Sequence, residues 1–91
     1  MKKAALSIGP FQNIQDFLDD TGGQITIGEI PPIRSAALAS QGKTVRVALV
    51  RRHRESVSEL LLRLDSALGQ AIAQDTAINE VLPEIRRRRS R

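Results

Sequence analysis

Residues 43–50 read Lys-Thr-Val-Arg-Val-Ala-Leu-Val and are the stretch that decides the fold. Apolar and polar side chains alternate along it, which predicts a β-strand that buries only one of its two faces. The other face then presents Arg46 to whatever lies outside the core. The inward residues are Val45, Val47 and Leu49, and the outward residues are Thr44, Arg46 and Ala48.

A long amphipathic helix is predicted directly after this strand. Ser56 and Glu59 have the spacing of a capping box, in which the serine hydroxyl accepts a backbone N–H and the glutamate reaches back to the N-cap residue. Leu62 lies outside the apolar stripe of the helix, which indicates a second buried surface such as a subunit contact. The stripe comprises Val57, Leu60, Leu61, Leu64, Leu68, Ala71 and Ile72.

Glycine and proline residues divide the N-terminal half of the chain into a short helix and two strands. Pro10 suits the first turn of a helix, and Gly22 suits its end, because glycine readily adopts the left-handed cap conformation. The β-branched residues of Gln24 to Ile30 predict a strand, which Pro31-Pro32 ends. Ile33 to Ser40 gives a second strand with a weaker signal, because its alanines do not favour sheets.

The C-terminal part of the chain predicts one more short helix and a charged tail. Asp75 or Thr76 provides the cap at which this helix begins, and Pro83 ends or kinks it. Repulsion among the arginines favours a mobile, disordered tail over residues 86–91. The apolar residues of the short helix are Ile78, Val81 and Leu82.

Length and composition predict a single α+β domain over residues 1–85. A chain of 91 residues buries a modest share of its surface, and the absence of cysteine excludes stabilisation by disulfides. A single histidine also argues against a zinc site, so we expect homodimerisation to supply stability. No stretch reads as a transmembrane segment or a signal peptide, which favours a cytoplasmic protein without a membrane partner.

The positive charge is confined to two short stretches. The chain has 14 lysines and arginines against 10 acidic residues, which gives a net charge of +4. Ten of the cations lie in residues 43–54 and 86–91, so the other four face ten carboxylates and the rest of the chain is net −6. The protein is therefore expected to be an acidic body that carries two basic elements.

No combination of residues predicts catalysis, a metal site or a cofactor. His53 is the only histidine, so neither a catalytic triad nor a multi-histidine metal site can be assembled. Asp19 and Asp20 are adjacent on the predicted helix and point in different directions, as on a solvated face. Gly22-Gly23 lacks the spacing of a phosphate-binding loop. We therefore expect a binding protein and not an enzyme.

The two basic stretches favour nucleic acid as the partner. Most of their cations are arginines, whose planar guanidinium matches phosphate oxygens and guanine edges. Phe11 and Phe17 are the only aromatic residues, whereas single-strand binders rely on aromatic stacking, so a duplex is favoured. The predicted contact residues are Lys43, Thr44, Arg46, Arg51, Arg52, His53, Arg54, Arg86, Arg87, Arg88, Arg89 and Arg91.

The strand at 43–50, the capped helix and the short helix after it resemble the ribbon-helix-helix DNA-binding family over residues 43–83. This resemblance implies an intertwined homodimer whose two strands pair into an antiparallel ribbon that enters the major groove, as in a small transcriptional regulator. Arg46 would then read bases, and residues 1–42 would form an N-terminal arm. The implied dimer core comprises Val45, Val47, Leu49, Leu61, Leu62, Leu64 and Leu68.

A second arrangement and two further functions stay open. Residues 24–30, 33–40 and 43–50 can form a three-stranded meander, with the helix that follows Ser56 packed on its apolar face. The position of Leu62 outside the apolar stripe and the long apolar helix also suit a protein-interaction module, adaptor or antitoxin-like, whose basic tail docks on an acidic partner. The same arginines would also suit structured RNA.

Overall fold

The order of helices and strands follows the predicted α+β pattern with one addition. The structure of the chain is a computed structural model, which describes the backbone of residues 10–89 and the side chains of residues 10–87. Its elements are α1 (Gln12–Thr21), β1 (Gln24–Ile30), β2 (Ile33–Gln41), β3 (Thr44–Val50), α2 (Val57–Gln74), β4 (Ile78–Asn79) and α3 (Val81–Arg89). None of the helices in this part of the chain is long and apolar enough to cross a membrane.

The strands form one mixed sheet in the order β1-β2-β3-β4. β1, β2 and β3 are antiparallel neighbours, which confirms the meander and makes residues 24–41 part of the sheet. β4 is the strand that the sequence did not predict. It pairs parallel to β3, with Ile78 beside Val47 and Asn79 beside Ala48. β3 therefore has neighbours on both sides, whereas a ribbon between two chains needs an edge strand.

Both faces of the sheet are covered by helices. α1 packs over β1, and α2 packs over β2 and β3, on one face; α3 packs on the opposite face of β2 and β3. The first core lies beneath α1 and α2 and comprises Ile14, Phe17, Ala37, Ala39, Val47, Leu49, Leu60, Leu64, Leu68 and Ala71. The second core lies beneath α3 and comprises Ile33, Ala36, Ala48 and Val81.

This two-sided burial corrects the predicted faces of the strand at 43–50. Ala48 was expected to face outward, but it is only 2% exposed because α3 covers it. Val45 was expected beside Val47 and Leu49, but it packs against the second core instead. A strand that is buried on both faces does not need to alternate apolar and polar residues. The sequence pattern therefore predicted the strand but not which of its faces are buried.

A β-bulge causes the exchange of faces. Ala39 lies opposite Val47, but the next residue, Ser40, lies opposite Val45, so Arg46 is the extra residue of the bulge. An extra residue shifts every earlier side chain to the other face of the strand. Val45 and Val47 consequently lie in different cores.

α1 obtains its N-terminal cap from α2. Its own N-cap residue, Phe11, makes no side-chain hydrogen bond to the helix. The Asp65 carboxylate accepts a hydrogen bond from the backbone N–H of Ile14 at 2.8 Å and another from Asn13 Nδ2 at 3.1 Å. The close approach depends on Gly69, where a Cβ atom would lie 2.6 Å from Asn13 Nδ2.

Replacing Asp65 by alanine should loosen α1. The change leaves the buried N–H of Ile14 without an acceptor, and we expect the free energy of unfolding to fall by about 2 kcal/mol. Asp16→Ala is the matched control, because Asp16 is exposed and, among the described residues, accepts a hydrogen bond only from the Gln12 side chain. This change should lower the free energy of unfolding by less than about 0.5 kcal/mol. Urea denaturation compares the two variants. Equal losses would show that Asp65 does not cap α1.

The C-terminal part of the chain differs from the prediction at three points. Asp75 does not start a helix but ends α2 in the left-handed conformation, with φ 53°. Pro83 lies in the first turn of α3, where a missing N–H is tolerated, and does not end it. α3 then continues through Arg89, so its arginines up to that residue are helical rather than a mobile tail. Val81 and Ile85 are one turn apart and both pack on the second core.

Candidate nucleic-acid interface

One end of the sheet carries a concentrated positive charge. We call residues 51–54, which join β3 to α2, the basic loop. The backbone N–H of Arg51 donates to the carbonyl of Ser35 at 3.1 Å, so the pairing of β2 with β3 continues one residue into the loop. This register brings Arg34, the exposed second residue of β2, beside the basic loop. The sequence prediction did not include Arg34.

Most side chains of this end are exposed and unpaired. Arg34, Arg52, His53 and Arg54 are exposed, and within residues 10–87 their own side chains form no ion pair and no hydrogen bond. Arg51 is the exception, because its Nε donates to the carbonyl of Glu55 at 2.8 Å. The basic loop and Arg34 together therefore present three unpaired guanidinium groups, which are able to bind phosphate oxygens.

The residues that flank the basic loop, Val50 and Glu55, are held together by the guanidinium of Arg63 on α2. Its Nε lies 2.9 Å from Glu55 Oε2, and its Nη1 lies 3.0 Å from Glu80 Oε2. Its Nη2 donates to the carbonyl of Val50 at 2.8 Å. The Glu80 carboxylate in turn accepts from the backbone N–H of Val50 at 3.0 Å. The network thus joins the end of β3, the start of α2 and the start of α3.

Glu55 pairs mainly with Arg63, and its carboxylate also accepts a hydrogen bond from the backbone N–H of Arg52 at 2.9 Å. The hydrogen bond from Arg63 lowers the pKa of Glu55 from 4.5 to about 2, although partial burial opposes this effect. The same pair raises the pKa of Arg63 above its ordinary value. Glu59, the other nearby acid, completes the predicted capping box by accepting from the backbone N–H of Ser56 at 2.8 Å. The α2 N-terminus itself adds partial positive charge.

Sequence reasoning did not find the role of Arg63. Arg63 lies on α2, but its partners Glu55 and Glu80 are 8 and 17 positions away along the chain. No helical spacing rule connects residues at these separations, because side chains on one helix face meet at three or four positions apart. The sequence thus carries no signal for this network.

Arg46 does not join the basic loop. Its Nη2 lies 3.5 Å from the carbonyl of Ala71 and 4.0 Å from Asp75 Oδ1, at the C-terminal end of α2. Its Nε is buried without a partner among the described residues. A cation at this position complements the negative end of the helix dipole. Lys43, in the turn between β2 and β3, and Thr44, the first residue of β3, are exposed at the opposite end of the sheet from the basic loop.

The residues expected to form a dimer core are mostly used within one chain. Val47, Leu49, Leu64 and Leu68 are at most 1% exposed in the first core. Leu61 packs partly against the same core, and Val45 packs partly against the second. Leu62 alone among the seven is open, at 47%.

The second basic element lies on the last turns of α3. Arg86 and Arg87 are exposed, and Arg87 forms an ion pair with Glu84. The backbone of Arg88 and Arg89 is helical. Arg91 lies outside the described residues.

Comparisons with known proteins do not assign a family. No family model, no curated protein and no solved structure matches the chain. The interpretation of the site therefore rests on its own residues. Within the described part of the chain, no three histidine, aspartate or glutamate side chains gather in a manner that could hold a metal ion.

Proposed function

We propose that the protein binds duplex DNA through phosphate contacts made by the basic loop and Arg34. The observation that carries this proposal is the set of unpaired guanidinium groups of Arg34, Arg52 and Arg54 at one end of the sheet, beside the N-terminus of α2. Exposed arginines near a helix N-terminus form a surface that attracts phosphate groups. The arginines of α3 supply a second set of contacts.

Binding of this kind depends on the DNA backbone more than on base sequence. Ala48 is buried and Arg46 lies against α2, so β3 does not offer the outward side chains that a sequence-reading ribbon uses. Phe17 is buried, so its ring offers no platform on which unpaired bases could stack. We therefore expect weak sequence preference and strong dependence on salt concentration.

Neutralising the free arginines tests this proposal. In the triple variant Arg34→Gln, Arg52→Gln, Arg54→Gln, the slope of log affinity against log salt for a duplex should fall in magnitude by about 3, because three phosphate contacts are lost. Fluorescence anisotropy with labelled duplex DNA over a salt series measures the slope.

A matched pair of single variants localises the effect. Arg52→Gln and Lys43→Gln each remove one exposed cation, but Lys43 lies at the other end of the sheet. We expect the first to weaken binding several-fold more than the second. If both act equally, the charge of the whole chain and not the basic loop governs binding. Tighter binding to duplex RNA than to DNA would reassign the partner.

A protein partner is the second candidate function. The observation that favours it is Leu62, an exposed leucine in the middle of α2 that is not needed for the first core. A pull-down from extract treated with nuclease separates the two functions, because a protein partner survives the nuclease and depends on Leu62.

A further inference from the structure

β1 forms the edge of the sheet on the side away from β4. Its inner edge pairs with β2, and within residues 10–89 no strand lies along its outer edge. Alternate residues of an edge strand turn their backbone N–H and C=O groups outward. The partner that satisfies such a row of groups inside an interface is another extended strand.

The regular part of this edge has no feature that would keep another strand away. Gln24–Gly28 pairs with β2 without interruption, and the β-bulge comes only after Gly28. Edge strands are commonly protected by lysine, proline or a central bulge. Residues 24–28 contain no charged residue and no proline, since Glu29 and Pro31 follow them.

Apolar side chains accompany the open edge on the face that carries α1. Ile27 lies opposite Ala37 of the first core, yet it is 39% exposed. Leu18 on α1 is 42% exposed. The groove between α1 and α2 is lined by Asn13, Asp16, Phe17 and Asp20 of α1, so Leu18 points to the other flank, away from α2. Because α1 lies over β1, that flank borders the open edge.

We propose that a second copy of the chain occupies this edge, with the two β1 strands antiparallel and a twofold axis at Thr26. The regular stretch 24–28 is self-complementary in this register. Each Ile25 lies opposite Ile27 of the partner subunit on the α1 face, and the two Thr26 side chains meet on the other face. Pairs of β-branched residues and of threonines are favourable across antiparallel strands.

Charge restricts where a second copy can bind. Each chain has a net charge of +4, so two copies repel one another over most approaches. The stretch 24–28 is uncharged, and in this register Glu29 falls beyond the paired residues.

The dimer contains one continuous sheet, with both α1 helices on the same face and Leu18 and Ile27 buried at its centre. The two basic loops lie at opposite ends, outside the interface. Dimerisation by β1 therefore does not rest on the proposed binding of DNA.

Multi-angle light scattering of the full chain without nucleic acid tests the interface. The wild type should have twice the monomer mass at micromolar concentration. Ile27→Lys should raise the dimer dissociation constant by about tenfold or more, because it places like charges at the edge. Leu62→Lys is the matched control, since Leu62 is similarly exposed on α2, and it should leave the mass unchanged. Circular dichroism verifies that both variants fold.

A single cysteine tests the register. The chain has no native cysteine, so Thr26→Cys introduces one thiol, which lies directly opposite its copy and needs only a small adjustment to reach disulfide geometry. Mild oxidation should convert most of this variant to a covalent dimer, whereas Ser58→Cys on the exposed start of α2 should stay monomeric on denaturing gels. A monomeric wild type, or dissociation by Leu62→Lys and not by Ile27→Lys, would overturn the proposal.

Discussion

Replacing Arg63 by methionine is expected to lower the free energy of unfolding by about 2–3 kcal/mol. The variant keeps the aliphatic length of the side chain but leaves the carboxylates of Glu55 and Glu80 together without their shared cation. It also removes the donor to the carbonyl of Val50. Arg52→Met is the matched control from the basic loop, because its side chain makes no such contact, and it should cost less than about 0.5 kcal/mol.

The dependence on pH gives this prediction a second signature. Because the folded-state pKa of Glu55 is lowered from 4.5 to about 2, its contribution to stability is complete above pH 4.5 and is lost as the pH falls towards 2. The difference between the wild type and Arg63→Met should therefore shrink over this range. Urea denaturation at a series of pH values measures it. A difference that is the same at both ends would mean that Arg63 acts by packing and not by charge.

Replacing Leu64 by alanine is expected to cost about 3–4 kcal/mol. Leu64 is fully buried at the centre of the first core, between α2 and the sheet, so the truncated side chain leaves a cavity. Leu62→Ala removes the same atoms two residues away from a half-exposed position, and in a single chain it should cost less than about 1 kcal/mol. Thermal or urea unfolding compares the two.

The outcome of this pair also bears on the expected dimer. A large loss for Leu62→Ala that grows with protein concentration would place Leu62 in a subunit interface, as the ribbon-helix-helix resemblance implies. If the dimer forms through β1 instead, the loss of stability in Leu62→Ala should not depend on protein concentration.

Elements with local signals could be predicted from the sequence almost to the residue. Gly22 does end α1 in the left-handed conformation, Pro31-Pro32 separates β1 from β2, and Ser56 caps α2 with the predicted reciprocal hydrogen bonds. Each of these signals acts through its own backbone and needs no distant partner. The position of the basic loop was predictable for the same reason.

Features that depend on distant residues could not be predicted. A stretch of two residues, Ile78 and Asn79, is too short to be predicted as a strand from sequence. It forms a strand only because it pairs with β3. Asp75 was interpreted as a helix start because aspartate favours N-caps, but the end of α2 uses it instead. No glycine near Arg46 indicates a bulge in the sequence. The predicted outward orientation of Arg46, the candidate base-reading residue, was therefore wrong.

The short β4 strand affects how the sheet forms while the chain is being synthesised. Among the elements of the sheet it is synthesised last, and until it arrives the outer edge of β3 stays open. A nascent chain therefore has two open strand edges, at β1 and at β3, that can pair with other strands. It is more prone to incorrect strand pairing than the folded protein. The Glu80 carboxylate accepts hydrogen bonds from both Arg63 and the backbone N–H of Val50, and these bonds stabilise the closure of the β3 edge.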